Sequence, residues 1–265
     1  MAETLRKLLK PLRQNTGPAV PRGQRVYAIG DIHGRLDLFA ALANAIEADD
    51  AARGSAETTV ILLGDLIDRG PDSASVVAAA RAWQYRRKVR ILCGNHEEMF
   101  LQSFRSLEVL GHFLRYGGYE TVVSYPVDID SFSIATPEQA RDMMIRAIPQ
   151  DDIDFLSNLE DLVVIGDYVF VHAGIDPEVP LEHQTTQHMH WIREPFLSHR
   201  GDFGHVVVHG HTIKEEPVVR QNRIGIDTGA FATGRLTALC LEETRRWVIE
   251  ARAEGNTIKT GSRPI

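Results

Sequence analysis

Apolar residues in this chain come in short runs that end abruptly in glycine and charged side chains. Val26-Tyr27-Ala28-Ile29 gives way to Gly30-Asp31-Ile32-His33-Gly34. Thr59-Val60-Ile61-Leu62-Leu63 gives way to Gly64-Asp65-Leu66-Ile67-Asp68-Arg69-Gly70-Pro71-Asp72-Ser73, and Val89-Arg90-Ile91-Leu92 to Cys93-Gly94-Asn95-His96-Glu97. Runs of this length bounded by glycine read as buried strands. Between them the spacing turns helical. Leu36, Leu38, Phe39, Leu42 and Ile46 share one face after the first loop. An alanine-rich helix begun by Asp72 or Ser73 follows the second loop and runs to about Trp83. Strand, polar loop and helix in repetition predict an α/β sheet with its loops gathered along one edge.

The middle of the chain is patterned differently. From Glu108 to Gln150 the apolar positions suit helices, broken at Gly117-Gly118 and at Pro126. Thr136, Pro137 and Gln139 make a capping-box start for a helix through Ile145. The expectation is a helical insertion over 108–150 that frames substrate access and contributes no chemistry itself. After a helix near 152–159, two apolar runs at 162–165 and 168–171 are joined by Gly166-Asp167, a two-residue hairpin turn. The second run delivers His172-Ala173-Gly174, and Val206-Val207-Val208 delivers His209-Gly210-His211-Thr212. Hairpin patterns at 217–219 with 224–226, and at 236–241 with 245–250, predict a second, mostly antiparallel sheet packed on the first. Residues 255–265 are polar and read as a loose tail. Residues 1–20 read as an N-terminal tail, its first fifteen residues a short amphipathic helix or frayed end. The catalytic domain is expected to fill 21–254.

Composition changes this picture only by exclusion. The 265 residues are 43% hydrophobic and 25% charged, ordinary for a globular chain able to bury a core. A net charge of −7 argues against nucleic-acid binding, yet leaves phosphate substrates open if metal ions supply the positive field. Cys93 and Cys240 are too few for a disulfide framework and point to a reducing compartment. No apolar run reaches the length of a membrane span, and the first residues lack the apolar core of a secretory signal. A cytoplasmic protein with no membrane partner is the expectation, its oligomeric state open.

Five strand ends therefore present Asp31 with His33, Asp65 with Asp68, Asn95 with His96, His172, and His211. Carboxylates, imidazoles and an amide together suit divalent Mn²⁺, Fe²⁺ or Zn²⁺. With strand-like geometry, Asp31 and His33 at i and i+2 point the same way and can reach one ion. A carboxylate has the lone pairs to bridge two ions, and Asp65 is central in the series.

These motifs resemble the calcineurin-like metallophosphoesterases, and within them the bacterial phosphoprotein phosphatases acting on phosphoserine and phosphothreonine. The resemblance rests on GDIHG at 30–34, GDLIDRGPDS at 64–73, GNHE at 94–97, HAG at 172–174 and HGHT at 209–212. Weaker support comes from HWIREPF at 190–196 and IDTGAFATGRLTAL at 226–239. It implies a four-layer α/β/β/α sandwich of two mixed sheets flanked by helices. It also implies two divalent ions, Mn²⁺ first and Fe²⁺ or Zn²⁺ as alternatives. Asp31 and His33 would hold the first ion, Asp65 would bridge, and Asn95, His172 and His211 would complete the second. Arg69 and Arg193 would clamp the phosphoryl oxygens with Asn95 beside them, and His96, oriented by Asp68, would protonate the leaving oxygen. Water activated between the ions would attack phosphorus directly. His209 is expected to be structural or to support the ligands, and His112, His183, His188, His190, His199 and His205 to have no part. The substrate would be a phosphoprotein or a small phosphoester. A dinucleoside-polyphosphate hydrolase or nucleotide phosphatase is the alternative, less favoured because Asp68 is typically not an acid in those relatives. Glu97 stands where wider phosphodiesterases tend to have Asp. A catalytically silent scaffold is the third reading, and no ligand is missing here to support it.

Overall fold

The computed structural model describes residues 17–265. The first fifteen residues, read above as a short helix or frayed end, lie outside the described residues. Strand β1 (Gln24–Ile29), helix α1 (Leu36–Ala52), β2 (Glu57–Leu62), α2 (Ser73–Gln84), β3 (Val89–Ile91) and α3 (Asn95–Ser103) follow in the predicted order. The alternation of side chains along these strands builds two cores at once. Tyr27, Ile29, Val60 and Leu62 meet Leu38, Leu42, Ile46, Val76 and Val77 of the helices on one face. Val26, Ala28, Ile61 and Leu63 point the other way, onto a second sheet. A strand buried on both faces must be apolar at consecutive positions, as these runs are.

That second sheet comprises β4 (Leu162–Ile165), β5 (Tyr168–Val171), β6 (Val206–His209), β7 (Val218–Val219) and β8 (Arg223–Gly225), ordered β4-β5-β6-β8-β7. Gly166-Asp167 turns β4 into β5 as an antiparallel hairpin. The pairs β5–β6 and β6–β8 are parallel, so the sheet is mixed, not mostly antiparallel. Its outer face packs Val171 and Val207 on Met189 of a short helix, Thr186–Trp191, and on Phe196. Helix, sheet, sheet and helix complete the expected four layers.

The C-terminal hairpin was expected in the second sheet and lies in the first. Strands β9 (Arg235–Glu242) and β10 (Arg245–Glu254) extend the order to β10-β9-β1-β2-β3, with β9 antiparallel to β1. The reason is in β9 itself, where seven of eight residues are buried. Leu236, Ala238 and Cys240 enter the helix-side core, while Leu239 and Leu241 enter the inter-sheet core. Residues 255–265 are not a loose tail either. Thr257–Pro264 form β11, paired with β10 from Trp247↔Pro264 to Glu254↔Thr257. Its polar side chains reflect an edge strand, where the backbone ladder supplies the order.

The insertion packs into the helix layer. Leu110, Phe113, Val122, Phe132 and Met144 belong to the same core as β1 and β2. Gly117-Gly118 breaks it as expected, with Gly117 at φ 110°. Thr136 and Gln139 cap each other reciprocally at the start of Pro137–Ala147.

Candidate metal centre and active site

The loops leaving β1, β2, β5 and β6 converge with the start of α3, and their backbone is unusual. Five non-glycine residues there, His33, Asp65, Asp68, Arg69 and His211, adopt positive φ between 47° and 74°. Such conformations cost of order 1–3 kcal/mol each and persist only where neighbours over-determine them. Here they do. Ile32 and His33 both donate N–H bonds to Asp65 O at 3.0 and 2.9 Å, and Gly210 donates to His172 O at 2.8 Å. The Glu97 carboxylate accepts from Gly94, Asp65 and Leu66 amides at 2.8–2.9 Å and from Ile67 at 3.3 Å. One buried side chain thus ties the 64–67 loop to the 94–97 loop. A Cβ on Gly94 or Gly210 would overlap Asp65 Oδ1 or Asp31 Oδ1, so glycine is what lets these carboxylates sit against backbone.

Asp65 is central, as expected. Its oxygens lie 3.4 Å from His172 Nε2, 3.5 Å from His33 Nε2 and 4.0 Å from His96 Nε2. His172 Nδ1 faces Leu63 O at 2.8 Å and His33 Nδ1 faces Ile67 O at 2.8 Å. A ring nitrogen opposite a carbonyl carries the proton, which leaves the Nε2 lone pairs turned inward. His172 Nε2 therefore points a lone pair at Asn95 Oδ1, 3.0 Å away, with Asp65 Oδ1 close by. Several acceptors facing each other in a buried space fit a cation and little else. His211 adds to this: its Nδ1 lies 2.8 Å from Asn95 Oδ1 and its buried Nε2 has no hydrogen-bond partner among the described residues. Two groups of potential ligand atoms share Asp65: His33, Asp65 and His96, and Asp65, His172 and His211. Burial pushes His33 and His211 down to about 3 and lowers His172 as well, so all three offer neutral imidazole. Burial opposes ionisation of Asp65, but the surrounding histidines outweigh it and hold the carboxyl below its usual range.

Asp31 arrives by another route than expected. His33 is in a left-handed turn, so the same-face argument for i and i+2 does not apply. Asp31 instead accepts the His211 N–H at 3.0 and 3.2 Å, next to Asp65 and Arg69. Burial, then Asp227 and Asp65, raise its pKa. Asp227 itself is pushed up by burial to about 6. A divalent cation beside this carboxyl pair is what would let both ionise.

On the other side of Asp65, His96 Nδ1 meets Asp68 Oδ2 at 2.6 Å. Burial works against protonation of His96, but Asp65 and Asp68 prevail and its pKa is raised. Arg69 reaches His33 Nε2 at 2.8 Å and His96 Nε2 at 2.9 Å, and its guanidinium lies 4.7 Å over the Phe231 ring. Arg193 is exposed and makes no side-chain hydrogen bond or ion pair among the described residues. It is near enough to His211 to lower that imidazole's pKa. His209 lies outside the cluster, buried between Gly210 O at 3.0 Å and Phe196, consistent with a supporting place. His190 is also buried, clamped by Glu98 at 2.8 Å and Asp161 at 3.0 Å.

Residues 24–232 match the calcineurin-like phosphoesterase family. The chain belongs to that family. This phosphoesterase is 31% identical to a zinc-dependent endopolyphosphatase of Saccharomyces cerevisiae over 56% of its length, spanning 46% of that larger protein. It is 28% identical to an asymmetrical bis(5'-nucleosyl)-tetraphosphatase of Anoxybacillus flavithermus, covering 80% of this chain and 88% of the relative. It is also 28% identical to serine/threonine-protein phosphatase 1 of Salmonella typhimurium, covering 81% and 90%. A crystal structure provisionally named a diadenosine tetraphosphatase shares the fold, with a TM-score of 0.59, 22% identity and coverage of 95% and 96%. No described helix is long and apolar enough to cross a membrane.

Members of this family use divalent metals, and the acceptor cluster of the phosphoesterase suits them. The ions would supply Lewis acidity toward phosphate oxygens and water when bound. Three neighbours of the site escaped sequence reasoning. Asp227 had a legible signal, since it ends an apolar run as Asp31 and Asp65 do. Phe231, under the Arg69 guanidinium, and Thr121, whose hydroxyl donates to Asp68 Oδ1 at 2.6 Å, had none: the importance of each lies in what the fold sets beside it.

Proposed function

We propose that this phosphoesterase hydrolyses phosphomonoesters, with phosphoserine and phosphothreonine of proteins as its substrate class. The observation that carries the reading is the buried Asp68–His96 pair, 2.6 Å apart, beside the Asp65-centred cluster. An imidazole whose ring is oriented by a buried carboxylate can serve as a general acid, and an alkoxide is the leaving group that most needs one. Asp31, His33, Asp65, Asn95, His172 and His211 are the residues we assign to two divalent ions, Mn²⁺ first, with Fe²⁺ or Zn²⁺ as substitutes. Arg69 and Arg193 supply planar forks for the phosphoryl oxygens. His96 gives its proton to the departing oxygen and Asp68 holds the ring in line. The setting is cytoplasmic, in keeping with two free, buried cysteines.

A second reading is favoured by the relatives named bis(5'-nucleosyl)-tetraphosphatases. A polyphosphate leaves as a weakly basic anion and gains less from an acid. The test is kcat/KM with saturating Mn²⁺ on a phosphoserine peptide and on diadenosine tetraphosphate. The first reading expects the peptide to be preferred by at least about tenfold, roughly 1.4 kcal/mol. Preference for diadenosine tetraphosphate replaces it with the second.

A further inference from the structure

The turn at Asp68-Arg69 is held from outside its own loop. Two consecutive non-glycine residues there are left-handed, at φ 74° and 68°, and Asp68 is fully buried. Segment 117–124 of the insertion reaches this turn with three hydrogen-bonding groups. Arg69 N–H donates to Gly117 O at 2.9 Å. The Thr121 hydroxyl accepts from Asp68 N–H at 2.8 Å and donates to Asp68 Oδ1 at 2.6 Å. Ala74 N–H donates to Ser124 Oγ at 3.0 Å, just beyond the turn. Ser73 Oγ takes the remaining reach of Asp68 N–H at 3.0 Å.

The geometry points to Thr121 as a positioning residue for the reaction: it fixes the Asp68 carboxylate that aims His96. This rests on the reading of His96 as general acid. Asp68 has two oxygens with one partner each, Oδ2 on the imidazole and Oδ1 on Thr121. Without the hydroxyl, Oδ1 loses its donor in a buried space and the carboxylate is free to rotate about its χ2. The imidazole then loses its fixed direction, although it keeps an acidic neighbour. The insertion is thereby a working wall of the site as well as a frame around it. The contribution of Thr121 falls on proton delivery, because the hydrogen bonds of its hydroxyl go to Asp68 and Ser73, neither of them assigned to the ions. The effect falls on kcat for basic leaving groups, with little in KM.

The test compares Thr121→Val and Thr121→Ser on a phosphoserine peptide and on p-nitrophenyl phosphate with excess Mn²⁺. Thr121→Val is expected to lower kcat on the peptide at least tenfold further than on p-nitrophenyl phosphate, and Thr121→Ser to restore it. In a His96→Asn background, Thr121→Val should cost nothing more on the peptide, an outcome a merely structural residue would not give. Thr121→Ala serves in the same cycle if the valine variant does not fold. Equal losses on both substrates, failure of serine to rescue, or an undiminished loss in the His96→Asn background overturns the assignment. The two readings fail separately. If His96→Asn itself hits both substrates equally, the acid role falls. If His96→Asn shows the contrast and Thr121→Val does not, only the role of Thr121 falls.

Discussion

Asp65 belongs to both groups of potential ligands, and this predicts a counting rule for metal stabilisation. Each ion that binds only the folded chain at one hundred times its Kd stabilises by about 2.7 kcal/mol. For a chain of this size that is roughly 5–10 °C in Tm per ion. The parent protein should show two such increments between chelated and Mn²⁺-saturated samples. His33→Ala should keep one, since His33 lies in one group only, and His211→Ala should keep the other. Asp65→Asn should keep neither, because its carboxylate is within 3.5 Å of both His33 Nε2 and His172 Nε2. The assay is differential scanning fluorimetry, each variant compared with its own metal-free melt, so that any intrinsic cost of the substitution cancels. Elemental analysis after gel filtration gives the matching counts of two, one, one and none. Asp65→Asn retaining a full increment would refute the shared-carboxylate geometry. So would either histidine variant losing both.

The other expectations follow from single side chains. Arg193→Ala should raise KM and lower kcat for phosphoesters, because a contact to phosphoryl oxygens tightens as charge develops. The melt should not move, since the side chain has no partner to lose, and constants within twofold of the parent would make Arg193 a bystander. His190 should give a pH-dependent stability. Burial lowers its pKa, but Glu98 and Asp161 outweigh burial and raise it above the ordinary 6.5. The stabilisation is therefore complete below about pH 6.5 and lost as pH rises through the higher folded value. Thermal melts from pH 6 to 9 should slope downward in the parent and flatten in His190→Asn; parallel slopes count against it.

Much of the candidate site was legible because its proposed ligands sit at ends of strands, where the pattern of apolar residues breaks. Asp31, His33, Asp65, Asn95, His172 and His211 are each found this way, and the fold brings all of them together. What periodicity could not tell was conformation inside the loops. His33 at φ 47° reaches the cluster by a left-handed turn that no alternation rule foresees. Partnership between distant strands was equally hidden. The run 236–241 reads as hairpin material of the second sheet, and only its two-sided burial places it beside β1 in the first. Residues 257–264 carry mostly polar side chains, Ile258 being the exception packed on the core, and their order comes from backbone pairing, which composition does not report. The insertion misled for a related reason: its contribution to the loop is a peptide oxygen and two hydroxyls.

The central position of β1 has a consequence for how the chain reaches its native state. Its neighbours are β2, some thirty residues on, and β9, whose Glu242 pairs with Arg25 across more than two hundred. A nascent chain emerging from its N-terminus can form the parallel half of that sheet early, while the other edge of β1 stays open. It closes only when residues 235–242 arrive. Loop closure over such a span is slow, and an exposed apolar edge is a site for mispairing in the meantime. Chaperone dependence during synthesis, and refolding yields that fall steeply with protein concentration, are what this order of assembly leads one to expect.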